Sequence, residues 1–210
     1  MSEGRLVHLV DDDDSVRRSV GFMLKTSGLT VKSYASGTEL LKEARKLKPG
    51  CILLDIRMPG IDGLEVQQEL QKSGIDMPVI IMTGHGDIPL SVRAMKAGAI
   101  DFIEKPFEKA TLLAALEEGF RVMTNSDAGR ERAKNAVVRL QALTPRERDV
   151  LDGLSKGLPN KTIAYDLGIS PRTVEIHRAN LMTKLEVRSL SEALRLAFAA
   201  EEGEAGPATG

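Results

Sequence analysis

Cys51-Ile52-Leu53-Leu54-Asp55-Ile56-Arg57-Met58-Pro59-Gly60 decides the fold. An apolar run carries straight into one carboxylate and then into a Pro-Gly turn. A run apolar on both faces reads as a central parallel strand covered by helices on each side. In an open parallel sheet, ligands sit at the carboxyl ends of the strands. Asp55 falls at such an end and is the chemical centre of the chain.

Outward from this strand the same pattern repeats. Residues 5–10 form a short apolar strand that runs into four consecutive aspartates, Asp11 to Asp14. A helix follows through Val16, Val20, Met23 and Leu24 and closes at Gly28. Residues 29–34 alternate as a strand, and residues 37–47 read as a helix. Beyond Asp55, a helix spans about 62–73 and a buried strand, 78–82, ends at Thr83. A loop over Gly84-His85-Gly86-Asp87 precedes a helix reaching Ala97. A fifth strand, 99–103, leads to Lys105-Pro106-Phe107, and a last helix starts near Glu108. Strands alternating with helices in this way predict a doubly wound five-stranded parallel sheet, an α/β domain over residues 1–124.

Residues 125–141 lose the pattern and read as a partly helical linker. Residues 142–201 carry only helical signals, which predicts a small all-α domain. The glycine-rich, acidic stretch 202–210 has nothing to bury and reads as disordered.

Composition narrows the function classes. The 210 residues carry a net charge of −1. Residues 1–124 hold 16 basic and 18 acidic side chains and residues 125–210 hold 13 and 12, so neither half is a basic arm. Any nucleic-acid surface is therefore a local patch. The single cysteine, Cys51, sits in the buried strand, which excludes a disulfide framework and points to a reducing compartment. No apolar run approaches membrane-spanning length and the N-terminus has no signal-peptide pattern, so a cytoplasmic protein is expected.

Asp11 and Asp12, Asp55, Thr83 and Lys105 stand at the carboxyl ends of the first, third, fourth and fifth strands. If the first and third strands are neighbours, three carboxylates converge, and they cannot all stay ionised without a cation. A hard divalent ion with oxygen ligands, Mg2+, answers that need. Lys105 adds an ammonium and Thr83 a hydroxyl donor. Together these are the parts that stabilise in-line phosphoryl transfer to a carboxylate, with Asp55 as nucleophile. The plainer role of an aspartate run is helix capping, expected here of Asp13 or Asp14.

These residues, in this order, resemble the receiver domain of two-component response regulators. The resemblance implies a flavodoxin-like 2-1-3-4-5 sheet and phosphorylation of Asp55 by a sensor histidine kinase. It implies Mg2+ held by Asp12, Asp55 and the Arg57 backbone carbonyl, with Asp11 acting through water. It further implies a cis Lys105-Pro106 peptide and a switch pair, Thr83 and Phe102. Phe102 as an ordinary core residue is the competing reading, and His85 reads as a loop residue.

In the C-terminal part, Thr144-Pro145-Arg146-Glu147 is a helix start with a capping box. Val150, Leu151 and Leu154 form the stripe of that helix, which Gly157 ends. Asn160 is placed to cap a second helix, 161–167, with Gly168 as the turn. Ser170-Pro171 starts a third, running to about Leu185, and Leu190 to Ala199 makes a fourth. Short helices joined by a tight glycine turn fit a helix-turn-helix. At 100° per residue, Val174, Leu181 and Leu185 lie within about 20° of one line and face the core. Arg172, Ile176, Ala179 and Thr183 then point outward. Ile176 and Ala179 suit thymine methyls, and Arg172, His177, Arg178 and Lys184 suit phosphates. Glu175 can accept from cytosine or simply pair with a neighbouring Arg, and Asn160, Lys161 and Thr173 complete the expected DNA-contact set. The competing reading is a four-helix protein-binding module.

Leu143–Leu151, Gly157–Ala164 and Ser170–Arg178 resemble the LuxR/NarL-type DNA-binding domain. With Gly84-His-Gly-Asp and Phe102-Ile-Glu-Lys-Pro-Phe, the whole chain resembles the FixJ subfamily, regulators of nitrogen-fixation and oxygen-responsive genes. Related regulators often carry lysine where Glu175 and Ala179 stand, so their base preferences do not transfer. The resemblance implies a non-enzymatic transcriptional activator whose partners are a sensor kinase, promoter DNA, RNA polymerase and a second copy of itself. The dimer would form on a face around Ile88 to Lys96 and Asp101. Two alternatives stay open: a receiver signalling through a protein without DNA, and an aspartyl-phosphate phosphatase. The latter typically needs a second acid where Arg57 stands.

Overall fold

The computed structural model describes residues 5–84, 88–124 and 136–204. The chain divides into two compact units, one from residues 1–86 and 97–125, the other from 87–96 and 126–210.

The first unit is built on five parallel strands: β1 (Leu6–Val10), β2 (Thr30–Tyr34), β3 (Cys51–Asp55), β4 (Val79–Thr83) and β5 (Asp101–Glu104). Their order is β2-β1-β3-β4-β5, the predicted doubly wound arrangement. All five residues of β3 and of β4 are buried, as expected of strands covered on both faces. Val7, Leu9, Leu53, Ile80, Met82 and Ile103 pack with Val20, Leu24, Leu112, Leu116 and Phe120 into one core. Ile52, Leu54 and Ile81, pointing the other way by strand alternation, are buried as well.

Local chemistry sets the helix boundaries. In α1 (Asp14–Thr26), Asp13 is the cap, its carboxylate accepting from the Ser15 and Val16 amides. Helix α3 (Gly63–Lys72) starts with an Asp62/Glu65 capping box. Two expectations shift. The helix expected over 37–47 stops as α2 (Gly37–Lys42) and is followed by a 3-10 turn, Ala44–Lys46. Strand β5 starts at Asp101, two residues later than expected. Helix α5 (Lys109–Thr124) closes the unit. Cys51 lies against this core, and burial pushes its thiol up to about 12, which removes it from nucleophilic chemistry.

One buried polar group lies in the middle of the sheet. His8 Nε2 donates to the Lys48 carbonyl at 2.9 Å, which leaves Nδ1 to accept from the Tyr34 hydroxyl at 3.3 Å. Burial, more than any other influence, holds its pKa below the ordinary 6.5. The unfolded chain therefore binds this proton first. The stability it supports is complete above pH 6.5 and is lost as the pH falls towards the folded value. His8→Gln is expected to flatten the fall in melting temperature below pH 6.5; an unchanged pH profile would remove His8 as the cause.

In the second unit, α4 (Ile88–Lys96) joins α6 (Pro145–Ser155), α7 (Asn160–Leu167), α8 (Pro171–Lys184) and α9 (Leu190–Glu204). Residues 136–140 of the expected linker are helical; its residues 125–135 lie outside the described residues. The Thr144/Glu147 capping box forms as expected, with Pro145 in the first turn. The α7–α8 turn needs the left-handed backbone of Gly168, φ +65°. Asn160 does not cap α7: Pro159 takes that position without a side-chain bond. Helix α9 reaches Glu204 rather than ending near Ala199, running into the stretch 202–210 expected to be disordered. Residues 205–210 lie outside the described residues. No helix among the described residues is long and apolar enough to cross a membrane.

Candidate functional site

Strand register assembles the first site. Val10 pairs with Leu54, so Asp11 and Asp55, the next residues on, are neighbours. Asp55 pairs with Met82 and Thr83 with Glu104, which brings Thr83 and then Lys105 to the same edge. Lys105 Nζ lies 2.6 Å from Asp11 Oδ2 and 2.5 Å from Asp55 Oδ1. The Asp55 Oδ2 accepts from the Arg57 amide at 2.9 Å, and Asp11 Oδ1 from the Asp13 amide at 2.9 Å.

The charges explain the arrangement. Burial raises the Asp55 pKa; the Lys105 bond opposes the rise without cancelling it. Burial also works against the Lys105 ammonium, but its bonds to Asp11 and Asp55 outweigh that and its pKa is raised. Lys105 therefore bridges the two carboxylates. The third carboxylate, Asp12, is exposed, so it stands at the mouth and not inside. Two buried carboxylates against one ammonium leave a net negative charge lined with hard oxygens, which fits a hard divalent cation. Among the described residues no three of His, Cys, Asp and Glu close into a metal cage. The fit is thus to an ion that keeps several waters, as Mg2+ does.

Thr83 is buried, and its hydroxyl donates to the Gly84 carbonyl at 3.3 Å. Phe102 is half-buried. The Lys105-Pro106 peptide is cis, as expected. His85 lies outside the described residues. Two residues near the pocket are not singled out by sequence patterns. Gly63 opens α3 directly against the Asp55 backbone, and Arg17 donates to the Asp11 carbonyl at 2.8 Å.

The second site is the outer face of α8. Val174, Leu181 and Leu185 are fully buried, and Ile176 is 50% exposed. Arg172, Glu175, Ala179 and Thr183 are exposed with it, the face expected from the helix angles. Among the expected DNA contacts, several are engaged within the unit. Lys184 Nζ lies 2.7 Å from Glu147, Arg178 donates to Asn160 Oδ1 at 3.0 Å, and Arg172 pairs with Glu175 at 3.0 Å. Lys161 is exposed, and Thr173 and His177 are half-buried.

Comparison with known proteins identifies the family of both parts of the chain. Residues 7–117 match the response regulator receiver domain, and residues 141–197 match the bacterial regulatory proteins of the luxR family. The transcriptional regulatory protein FixJ of Azorhizobium caulinodans is 50% identical over 100% of this chain and 99% of its own. FixJ of Rhizobium meliloti is 47% identical over 92% of this chain and 95% of its own. Full-length FixJ from B. japonicum superimposes with a TM-score of 0.58 at 42% identity, covering 96% of this chain and 99% of that one. A receiver domain implies a sensor kinase as partner, and a LuxR-type helix-turn-helix implies DNA. The chain belongs to the FixJ-like response regulators, transcription-regulating proteins of two-component systems that join a receiver domain to a LuxR-type DNA-binding domain.

Proposed function

We propose that this regulator acts in the cytoplasm, accepts a phosphoryl group on Asp55 from a sensor histidine kinase, dimerises, and activates transcription at promoter DNA. The observation that carries this reading is the Lys105 ammonium held between the Asp11 and Asp55 carboxylates. An Asp55 oxygen attacks phosphorus as the phosphorus–nitrogen bond of the kinase's phosphohistidine breaks, giving an aspartyl phosphate. Lys105 then meets the phosphoryl oxygens, and the Arg57 amide keeps the other Asp55 oxygen in place. Asp11, Asp12, Asp55 and the Arg57 carbonyl would hold Mg2+, which when bound supplies positive charge to the transferring group. The chain is an acceptor rather than a turnover enzyme, because exposed Arg57 occupies the position where a phosphatase needs its second acid.

The signal leaves through Thr83, whose hydroxyl exchanges the Gly84 carbonyl for the phosphate, and through inward rotation of Phe102. That shift favours a dimer on the face of Ile88–Lys96 and Asp101. A dimer joins two weak half-site contacts into useful affinity and presents the bound promoter to RNA polymerase. Likeness to FixJ makes oxygen-responsive or nitrogen-fixation genes the candidate targets.

The test combines light scattering with gel retardation of the full chain on promoter DNA. With an acyl-phosphate donor and Mg2+, the protein is expected to become dimeric and to retard DNA in a salt-sensitive manner. Ile176→Asp is expected to weaken that retardation by about tenfold or more while leaving dimerisation intact. Dimerisation without any salt-sensitive retardation would favour signalling through a protein partner instead.

A further inference from the structure

Arg17 sits in the second turn of α1 with its side chain only 16% exposed. Its Nη1 donates to the backbone carbonyl of Asp11 at 2.8 Å, and its Nη2 lies 3.1 Å from Asp14 Oδ1. That carbonyl belongs to the peptide joining Asp11 to Asp12. A planar peptide with its oxygen pinned fixes one backbone torsion on each side, ψ of Asp11 and φ of Asp12.

The two acids depend on this in different degrees. The Asp11 carboxylate is already held, by the Asp13 amide on one oxygen and Lys105 on the other. Asp12 is exposed at the mouth, so the direction of its carboxylate is inherited from the peptide behind it. We infer that Arg17 is a positioning residue: by clamping the Asp11–Asp12 peptide, it aims the Asp12 carboxylate at the divalent cation. This inference rests on the proposed Mg2+-dependent phosphoryl acceptance.

Arg17 is a cation beside a site for a cation, which gives the proposal a sign to be tested by. Were its charge what matters, Arg17→Gln would tighten Mg2+ binding, and Asp14→Asn would weaken it. A positioning role predicts the reverse order. Losing a residue that orients a metal ligand costs about tenfold or more in metal affinity. Losing the exposed Asp14 partner costs little, because Nη1 still reaches the carbonyl. Arg17→Lys keeps the charge but loses the planar fork that reaches both groups.

The experiment titrates Mg2+ into the unphosphorylated full chain, following amide NMR shifts and, separately, heat. The wild type is expected to show shifts at Asp11, Asp12 and Arg57; their absence would sink the functional reading together with this inference. Given wild-type binding, Arg17→Gln and Arg17→Lys are expected to raise the dissociation constant by about tenfold. Asp14→Asn is expected to stay within about twofold. Phosphorylation of Arg17→Lys by an acyl-phosphate donor should recover at saturating Mg2+, as an affinity defect requires. Unchanged or tighter Mg2+ binding by Arg17→Gln would overturn the inference alone. So would a slow rate in Arg17→Lys that no Mg2+ concentration restores. Should Arg17→Gln fail to fold, Arg17→Lys, which keeps the charge and most of the stem, decides the matter by itself.

Discussion

Replacing Asp55 with asparagine is expected to abolish acyl-phosphate formation and to make the protein more stable. The first effect follows from chemistry, since a carboxamide offers no anionic oxygen to attack phosphorus. The second follows from electrostatics. Burial raises the Asp55 pKa above its unfolded value, so its contribution to stability is present at low pH and lost as the pH rises through the folded value. Once ionised in the fold, the side chain therefore costs stability. Asparagine removes that charge, its oxygen can still accept from Lys105, and Lys105 keeps its ion pair with Asp11. The gain is on the order of 1 kcal/mol, the usual size when a functional site is relieved of strain or charge. Thermal unfolding at neutral pH without Mg2+ checks it. A variant that melts below the wild type would show that Asp55 is a structural ion-pair partner first.

Gly63→Ala is expected to cost more than most single changes, about 3 kcal/mol. An added Cβ would lie 2.5 Å from the Asp55 carbonyl oxygen and 2.8 Å from the Ile56 Cα. Both are backbone atoms, so no side-chain rotation relieves the clash. The Gly63 amide also donates to the Ile56 carbonyl at 3.0 Å, which ties the start of α3 to the end of β3. Alanine must push that turn away, and Asp55 moves with it. Chemical denaturation should show the stability loss, and the phosphorylation rate of the folded fraction should fall as well. A loss below about 1 kcal/mol would mean that the turn yields easily.

The two substitutions mark what a reader of the sequence can and cannot see. Asp55 is legible because an apolar run with a charge at its end has few structural meanings. Asp11, Thr83 and Lys105 follow from the same rule applied to three other strands, and α8 presents the face that its helical angles predict. Gly63 is invisible because its need for a bare Cα arises where the chain returns to the end of β3. Arg17 looks like any solvated helix cation until the β1–α1 turn folds over it. Partners within the DNA-contact set are hidden for a related reason. Lys184 and Arg178 read as free cations, but Glu147 and Asn160, 37 and 18 positions away, take them as partners. Glu147 itself is read correctly as a capping-box residue, and its second bond, to Lys184, emerges only from the packing of α6 on α8. Periodicity and strand ends reveal what lies along the chain; pairings across it depend on tertiary packing.

The most direct test of the central claim is to trap the modification. The full chain is incubated with an acyl-phosphate donor and Mg2+, reduced with borohydride, which converts an aspartyl phosphate to homoserine, and digested for mass spectrometry. Homoserine is expected at position 55 alone, dependent on Mg2+ and absent without the donor. Homoserine at Asp11 or Asp12, or no conversion in a protein that still binds promoter DNA on treatment with the donor, would contradict it.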